Sequence, residues 1–198
     1  MKTKKFTTSQ LTILGLMAGI LFLMAYTPLG YLNIGPLAVT FNVIPVAVCA
    51  IVLGPTGGAI AGAVFGLTSF MQAIGIGGVS ALGSALFQIN PFMTAVQCFG
   101  PRILDGICIG FIYRAVHKKA NTYVSCAVTG FFSAFLNTLF FMTALIVMFG
   151  NTELIRNLMG GHNIIVGCCL MVGVNAISEM VSSTIITAAV GTALSKAH

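Results

Sequence analysis

Polar side chains are scarce in this chain, and the few that interrupt its long apolar runs define the chemistry open to it. Arg102 and Asp105 lie three residues apart, and Asn175 and Glu179 four apart, spacings that place each pair on one helix face. Asn137 and Thr138 stand in the middle of another apolar run, while Gln72, Gln88 and Asn90 flank a glycine-rich stretch. A guanidinium reads a carboxylate through two parallel hydrogen bonds. Amides, hydroxyls and a carboxylate such as Glu179 answer the hydroxyl and amide groups of a small solute. Capture of a small polar molecule is the chemistry these residue types permit. Each residue also has a packing role open to it: Arg102 and Asp105 can neutralise each other, and Glu179 can bridge helices as polar glue. Asp105 leans toward that role, because it lies nearer the cytoplasmic end of its run.

Catalysis finds no support. G-x-x-x-x-G-K-[ST] is missing, so nothing cradles a nucleotide. Gly75-Ile76-Gly77-Gly78 has neither the preceding strand nor the final glycine of a phosphate loop. H-E-x-x-H and G-x-S-x-G do not occur. The cysteines, Cys49, Cys98, Cys108, Cys126, Cys168 and Cys169, form no C-x-x-C and lie in or beside apolar segments, where they read as small core residues. His117, His162 and His198 fall at segment boundaries and read as solvated. No enzyme activity, metal or cofactor is expected.

The elements that position the polar groups follow from composition. Of 198 residues, 58% are hydrophobic and 6% charged, with mean hydropathy +1.04, whereas a soluble domain carries about a quarter charged residues. The bilayer is the natural solvent. At about 20 residues per crossing, the chain divides into six predicted spans, near 8–26, 42–54, 57–72, 91–116, 123–149 and 164–194, forming one membrane domain over 1–198. Met1 to Lys5 followed by an apolar run resembles a signal peptide, but no small-x-small cleavage site precedes Pro28, so the run reads as a retained first helix. Gly15 and Gly19 give it a small-xxx-small face that permits close helix approach. Residues 28–41 read as a loop with a strand-like piece. Residues 73–90, containing GIGGVSALGSALFQIN, read as a re-entrant or capping loop, since lipid-exposed irregular backbone is excluded. Polar groups on three spans beneath two glycine-rich outer loops suggest a cavity open to the outside.

Basic residues set the orientation. Lys2, Lys4, Lys5, Arg114, Lys118, Lys119 and Lys196 are seven of the nine, and all fall on the cytoplasmic side if both termini do. The net charge of +6 is therefore topology and not a nucleic-acid signal.

Several segments together resemble a known family. They are Val43-Ile44-Pro45-Val46, Ile51 to Ala59 (IVLGPTGGA), Phe65-Gly66-Leu67-Thr68-Ser69, Asn90-Pro91-Phe92, Pro101 to Gly106 (PRILDG), Asn137-Thr138 and Asn175 to Glu179 (NAISE). In this order and spacing the chain, from about 10 to 194, resembles the substrate-binding S components of energy-coupling factor (ECF) vitamin transporters. The resemblance implies a six-helix all-α membrane bundle with cytoplasmic termini, in the plasma membrane, capturing a vitamin from outside. It implies a transmembrane T component and two ATP-hydrolysing subunits as partners, contacted through the first helix, where Gly15 and Gly19 replace the family's Ala-x-x-x-Ala. It implies that the bundle topples in the membrane to deliver its cargo. The pattern is most similar to the pantothenate type; folate, riboflavin or another micronutrient stays open, as does a stand-alone facilitator. Pantothenate carries one carboxylate, two hydroxyls and an amide, for which Arg102, Asn137, Thr138, Asn175 and Glu179, with Gln72 and Asn90 nearby, form the expected set.

Overall fold

A computed structural model describes residues 7–27, 31–33, 38–77, 80–158, 160 and 164–197. Among the described residues the elements are helices and one short hairpin: α1 (Thr8–Tyr26), β1 (Tyr31–Asn33), β2 (Ala38–Thr40), α2 (Val43–Ala73), α3 (Ala81–Ile89), α4 (Pro91–His117), α5 (Thr122–Phe149), α6 (Glu153–Leu158) and α7 (Ile164–Ala197). Strands β1 and β2 pair antiparallel, with Tyr31 opposite Thr40. Among the described residues five helices are long and apolar enough to cross a membrane: α1, α2, α4, α5 and, over Asn175–Ser195, α7.

Local signals explain where these helices begin. Thr7 and Gln10 form a reciprocal capping box on α1. Asn90 caps α4 by accepting from the Met93 amide at 3.1 Å, with Pro91 in the first turn where its missing N–H costs nothing. Asn121 caps α5 through the Val124 amide at 2.8 Å.

α2 has 31 residues, which as a straight rod would run about 46 Å, well beyond an apolar layer of about 30 Å. Gly54 resolves the excess. Its φ of 75° and ψ of −167° break the helix, a conformation glycine adopts without a Cβ penalty. The arms on either side, 43–53 and 55–73, then fold back on each other. A Cβ built on Gly57 would lie 3.1 Å from the Cys49 carbonyl, eight residues earlier, and one on Gly58 would lie 3.0 Å from the Ala50 Cβ. Eight residues along a straight helix are about 12 Å apart. The second arm meets α4 through glycines at every fourth position: Gly58 touches the backbone of Gly106, Gly62 that of Arg102 and Ile103, and Gly66 that of Cys98 and Phe99. Small residues allow helix backbones to come this close in lipid.

α2 is the most buried of the five helices and α1 the least. The core gathers on the first arm of α2, where Val46, Ala47, Val48, Cys49 and Ala50 are almost wholly buried together with Leu21, Phe65, Ile109 and Ala134. Leu11, Leu16 and Leu23 of α1 instead face outward.

The 73–90 segment, read as a loop, contains a helix. Ser80 caps α3 by accepting from the Gly83 amide at 3.1 Å, and Leu86 buries against Met142, Leu145, Phe149 and Ile155. α6 lies within the polar stretch that follows α5. The basic residues Lys2, Lys4 and Lys5, together with Gly78, His162 and His198, lie outside the described residues.

Candidate functional site

Pro101 sits inside α4 and has no N–H to give the Gln97 carbonyl four residues back. Arg102 supplies the missing donor: its Nη1 lies 3.0 Å from the Gln97 carbonyl oxygen. The guanidinium is also placed 5.0 Å from the ring centroid of Phe65 on α2 and 5.0 Å from that of Phe141 on α5. Aromatic faces attract a cation, the more so away from water. The side chain is thus fixed before any ligand arrives, and its Nε remains buried without a hydrogen-bond partner. The packing alternative, in which Arg102 and Asp105 neutralise each other by direct contact, is not the arrangement seen: the guanidinium takes the Gln97 carbonyl and the two rings. Asp105 is 2% exposed and lies near Ser133 of α5, whose hydroxyl donates to the Val43 carbonyl at 3.3 Å.

Further polar groups surround Arg102. Gln97 donates from Nε2 to the Phe141 carbonyl at 2.9 Å, and its Oε1 is buried and unpartnered. Asn137 lies one turn before Phe141, buried, with its Oδ1 also unpartnered; Thr138 beside it is half-buried. On α7, Asn175 and Glu179 are both buried, one turn apart. The Glu179 Oε1 accepts the backbone N–H of Thr40 at 2.6 Å, which ties the β1–β2 hairpin into the bundle. Glu179 also feels the Arg102 charge. Orphaned buried polar atoms are uncommon in native folds and call for an explanation. Here Arg102 Nε and Gln97 Oε1, with Asn137 Oδ1 one helical turn from Phe141, leave a donor and two acceptors for a small polar solute.

Two expected members sit elsewhere. Gln72 donates from Nε2 to the Ala25 carbonyl at 2.6 Å, tying the end of α1 to α2. Asn90 caps α4. Gly15 and Gly19 face open space, with nothing within 4 Å of an added Cβ, so among the described residues nothing covers the α1 face they share with Leu11, Leu16 and Leu23. Sequence reasoning missed Phe65, Gln97 and Phe141. The signal for Gln97 was present, since a mid-helix proline frees the carbonyl four residues before it.

The profile of the ECF transporter substrate-specific component matches residues 9–191. The pantothenate transporter PanT of Leuconostoc mesenteroides subsp. mesenteroides is 33% identical over 178 residues, covering 86% of this chain and 81% of that protein. The pantothenic acid transporter PanT of Lactococcus lactis subsp. cremoris is 28% identical over 208 residues, covering 98% of each. With the profile matched over nearly its whole length, this helical membrane chain belongs to the family of substrate-specific components of ECF transporters.

Proposed function

We propose that this chain is the pantothenate-capturing subunit of an ATP-driven importer in the plasma membrane. The observation that carries the reading is Arg102, held in advance between Phe65 and Phe141 with a spare buried donor, as a receptor for a carboxylate needs. The hydroxyls and amide of pantothenate then meet Asn137, Thr138, Asn175 and Glu179. The names of the two relatives support this choice of vitamin.

Six crossings follow from counting the two arms of α2 separately, and an even number puts both termini on one side. Arg114, Lys118 and Lys119 at the α4–α5 turn mark that side as cytoplasmic. The hairpin, α3 and α6 then lie toward the outside, where the ligand enters. Energy comes from partners: a T component docking on the α1 face around Gly15 and Gly19, and two ATPase subunits behind it. Delivery follows when the bundle topples in the membrane.

Calorimetry on the detergent-purified chain, without ATP, against pantothenate, folate, riboflavin and biotin tests the reading. Tight one-to-one binding of pantothenate alone is expected. Tight binding of another vitamin would keep the capture role and replace the cargo; no binding to any of them would remove the capture role.

A further inference from the structure

Gln97 takes part in two of the ties around Arg102, and one of its atoms belongs to neither. Its backbone carbonyl, freed by Pro101, accepts from Arg102 Nη1 at 3.0 Å. Its side chain crosses from α4 to α5, where Nε2 donates to the Phe141 carbonyl at 2.9 Å. The ring of that same Phe141 lies 5.0 Å from the Arg102 guanidinium. Gln97 thus touches the guanidinium with its backbone, and with its side chain the residue against which the guanidinium packs. A carbonyl oxygen only accepts, so Phe141 fixes which end of the side-chain amide faces it. Nitrogen points to α5, and Oε1 is left buried with no partner among the described residues, on a side chain only 1% exposed. A buried acceptor left unmet is costly, and a native fold keeps one where a donor arrives.

We propose that Gln97 is a specificity-determining residue of the pantothenate site, its Oε1 accepting the amide N–H that stands two methylenes from the vitamin's carboxylate. The proposal rests on pantothenate as cargo and on Arg102 as receptor of its carboxylate, and adds which group is read beside it. Position selects that group. Counting along pantothenate from the carboxylate, the amide N–H is the first polar hydrogen, and both hydroxyls lie beyond the amide carbonyl. A residue whose own carbonyl holds Arg102 stands at the carboxylate end. Chemistry selects it too: an amide N–H donates and cannot accept, whereas Oε1 accepts and cannot donate. With Nε2 held by the Phe141 carbonyl, Oε1 is ordered before the ligand arrives. The amide carbonyl and the hydroxyls remain for Asn137, Thr138, Asn175 and Glu179.

Calorimetry compares pantothenate with its ester isostere, in which –O– replaces the amide –NH–, on the wild-type chain and on Gln97→Leu. Wild type should prefer the amide by about tenfold or more, because the ester sets an oxygen against Oε1 and leaves it unpaired. Gln97→Leu gives up the tie to Phe141 and should weaken both ligands, yet bind them within about twofold of each other. A merely structural tie would weaken both in the same ratio, so a preference retained in Gln97→Leu overturns the proposal. Equal binding of amide and ester by wild type overturns it without any variant and leaves the cargo in place. No binding of pantothenate removes cargo and proposal together. Should Gln97→Leu not fold, Gln97→Met, which keeps an unbranched side chain, takes its place with the same outcomes.

Discussion

Replacing Arg102 by alanine tests the carboxylate receptor most directly, and the structure sets the size of the effect. The guanidinium is already ordered by the Gln97 carbonyl at 3.0 Å and by two rings at 5.0 Å, so little side-chain entropy remains to be lost when a ligand binds. Charge-assisted hydrogen bonds contribute about 1.5–3 kcal/mol each. Two of them, less the desolvation of the carboxylate, leave roughly 3–4 kcal/mol, or about 200- to 1000-fold in Kd. Calorimetry should be run with pantothenate and with the neutral analogue in which –CH2OH replaces the carboxylate. Wild type should favour the acid by that factor, Arg102→Ala should bind both weakly and alike, and Arg102→Lys should fall between, keeping charge without the fork. The two ligands and two proteins make a cycle whose coupling term isolates the Arg102–carboxylate interaction from any general damage to the bundle. Equal loss for acid and alcohol in Arg102→Ala would mean that Arg102 shapes the site without touching the carboxylate, and the receptor argument would fall.

Further outcomes follow from the packing. Gly62→Val should push α2 and α4 apart, since its Cβ meets the Arg102 backbone; overpacking costs about 1–3 kcal/mol, read as a lower thermal midpoint and, because Arg102 rides on that turn, weaker pantothenate binding. A normal midpoint would show that the glycine spacing is incidental. Glu179→Ala leaves the buried Thr40 amide without its acceptor, a loss of about 1–3 kcal/mol, and hydrogen exchange at Thr40 should speed up while Glu179→Gln stays protected. Gly15→Leu with Gly19→Leu points two side chains into open space, so stability and vitamin affinity should hold while the ATPase module no longer co-purifies; retained co-purification would remove α1 as the docking face.

Much of the frame could be read from residues alone, for identifiable reasons. The start of α1 follows from the Thr7–Gln10 box, and the fold-back of α2 from Gly54-Pro55, where a glycine and a proline together end one arm and start the next. α3 was hidden because Gly83 and Ser84 dilute its helical pattern; only the cap at Ser80 and the burial of Leu86 reveal it. In the site, spacing identified Arg102 and Glu179 as unusual but left open whether Arg102 meets Asp105. Residues three apart on a helix can meet, yet Pro101 frees a carbonyl that competes for the guanidinium, and Phe65 and Phe141 arrive from distant parts of the chain. Small-residue spacing likewise points to Gly15 and Gly19, which the chain leaves open, while the close packing falls to Gly58, Gly62 and Gly66.

Gln72 allows two roles for one amide to be separated. Its Nε2 donates to the Ala25 carbonyl at 2.6 Å, at the last turn of α1, and the Tyr26 hydroxyl beside it reaches the Met71 sulfur at 3.2 Å. α1 is the least buried of the long helices and carries the open glycine face, so these two contacts fasten the proposed docking helix to the arm of α2 that also bears Phe65. Gln72→Glu keeps size and shape but removes the N–H donor and sets a carboxylate against a carbonyl. If Gln72 is a tie, the variant should lose about 1–3 kcal/mol of stability, with pantothenate affinity within about threefold of wild type, a change under 1 kcal/mol. If it contacts the vitamin, affinity should fall by more than about tenfold, over 1.4 kcal/mol, at little cost in stability. A thermal midpoint and a calorimetric titration on the same sample decide between them, and loss of affinity without loss of stability would return Gln72 to the ligand set.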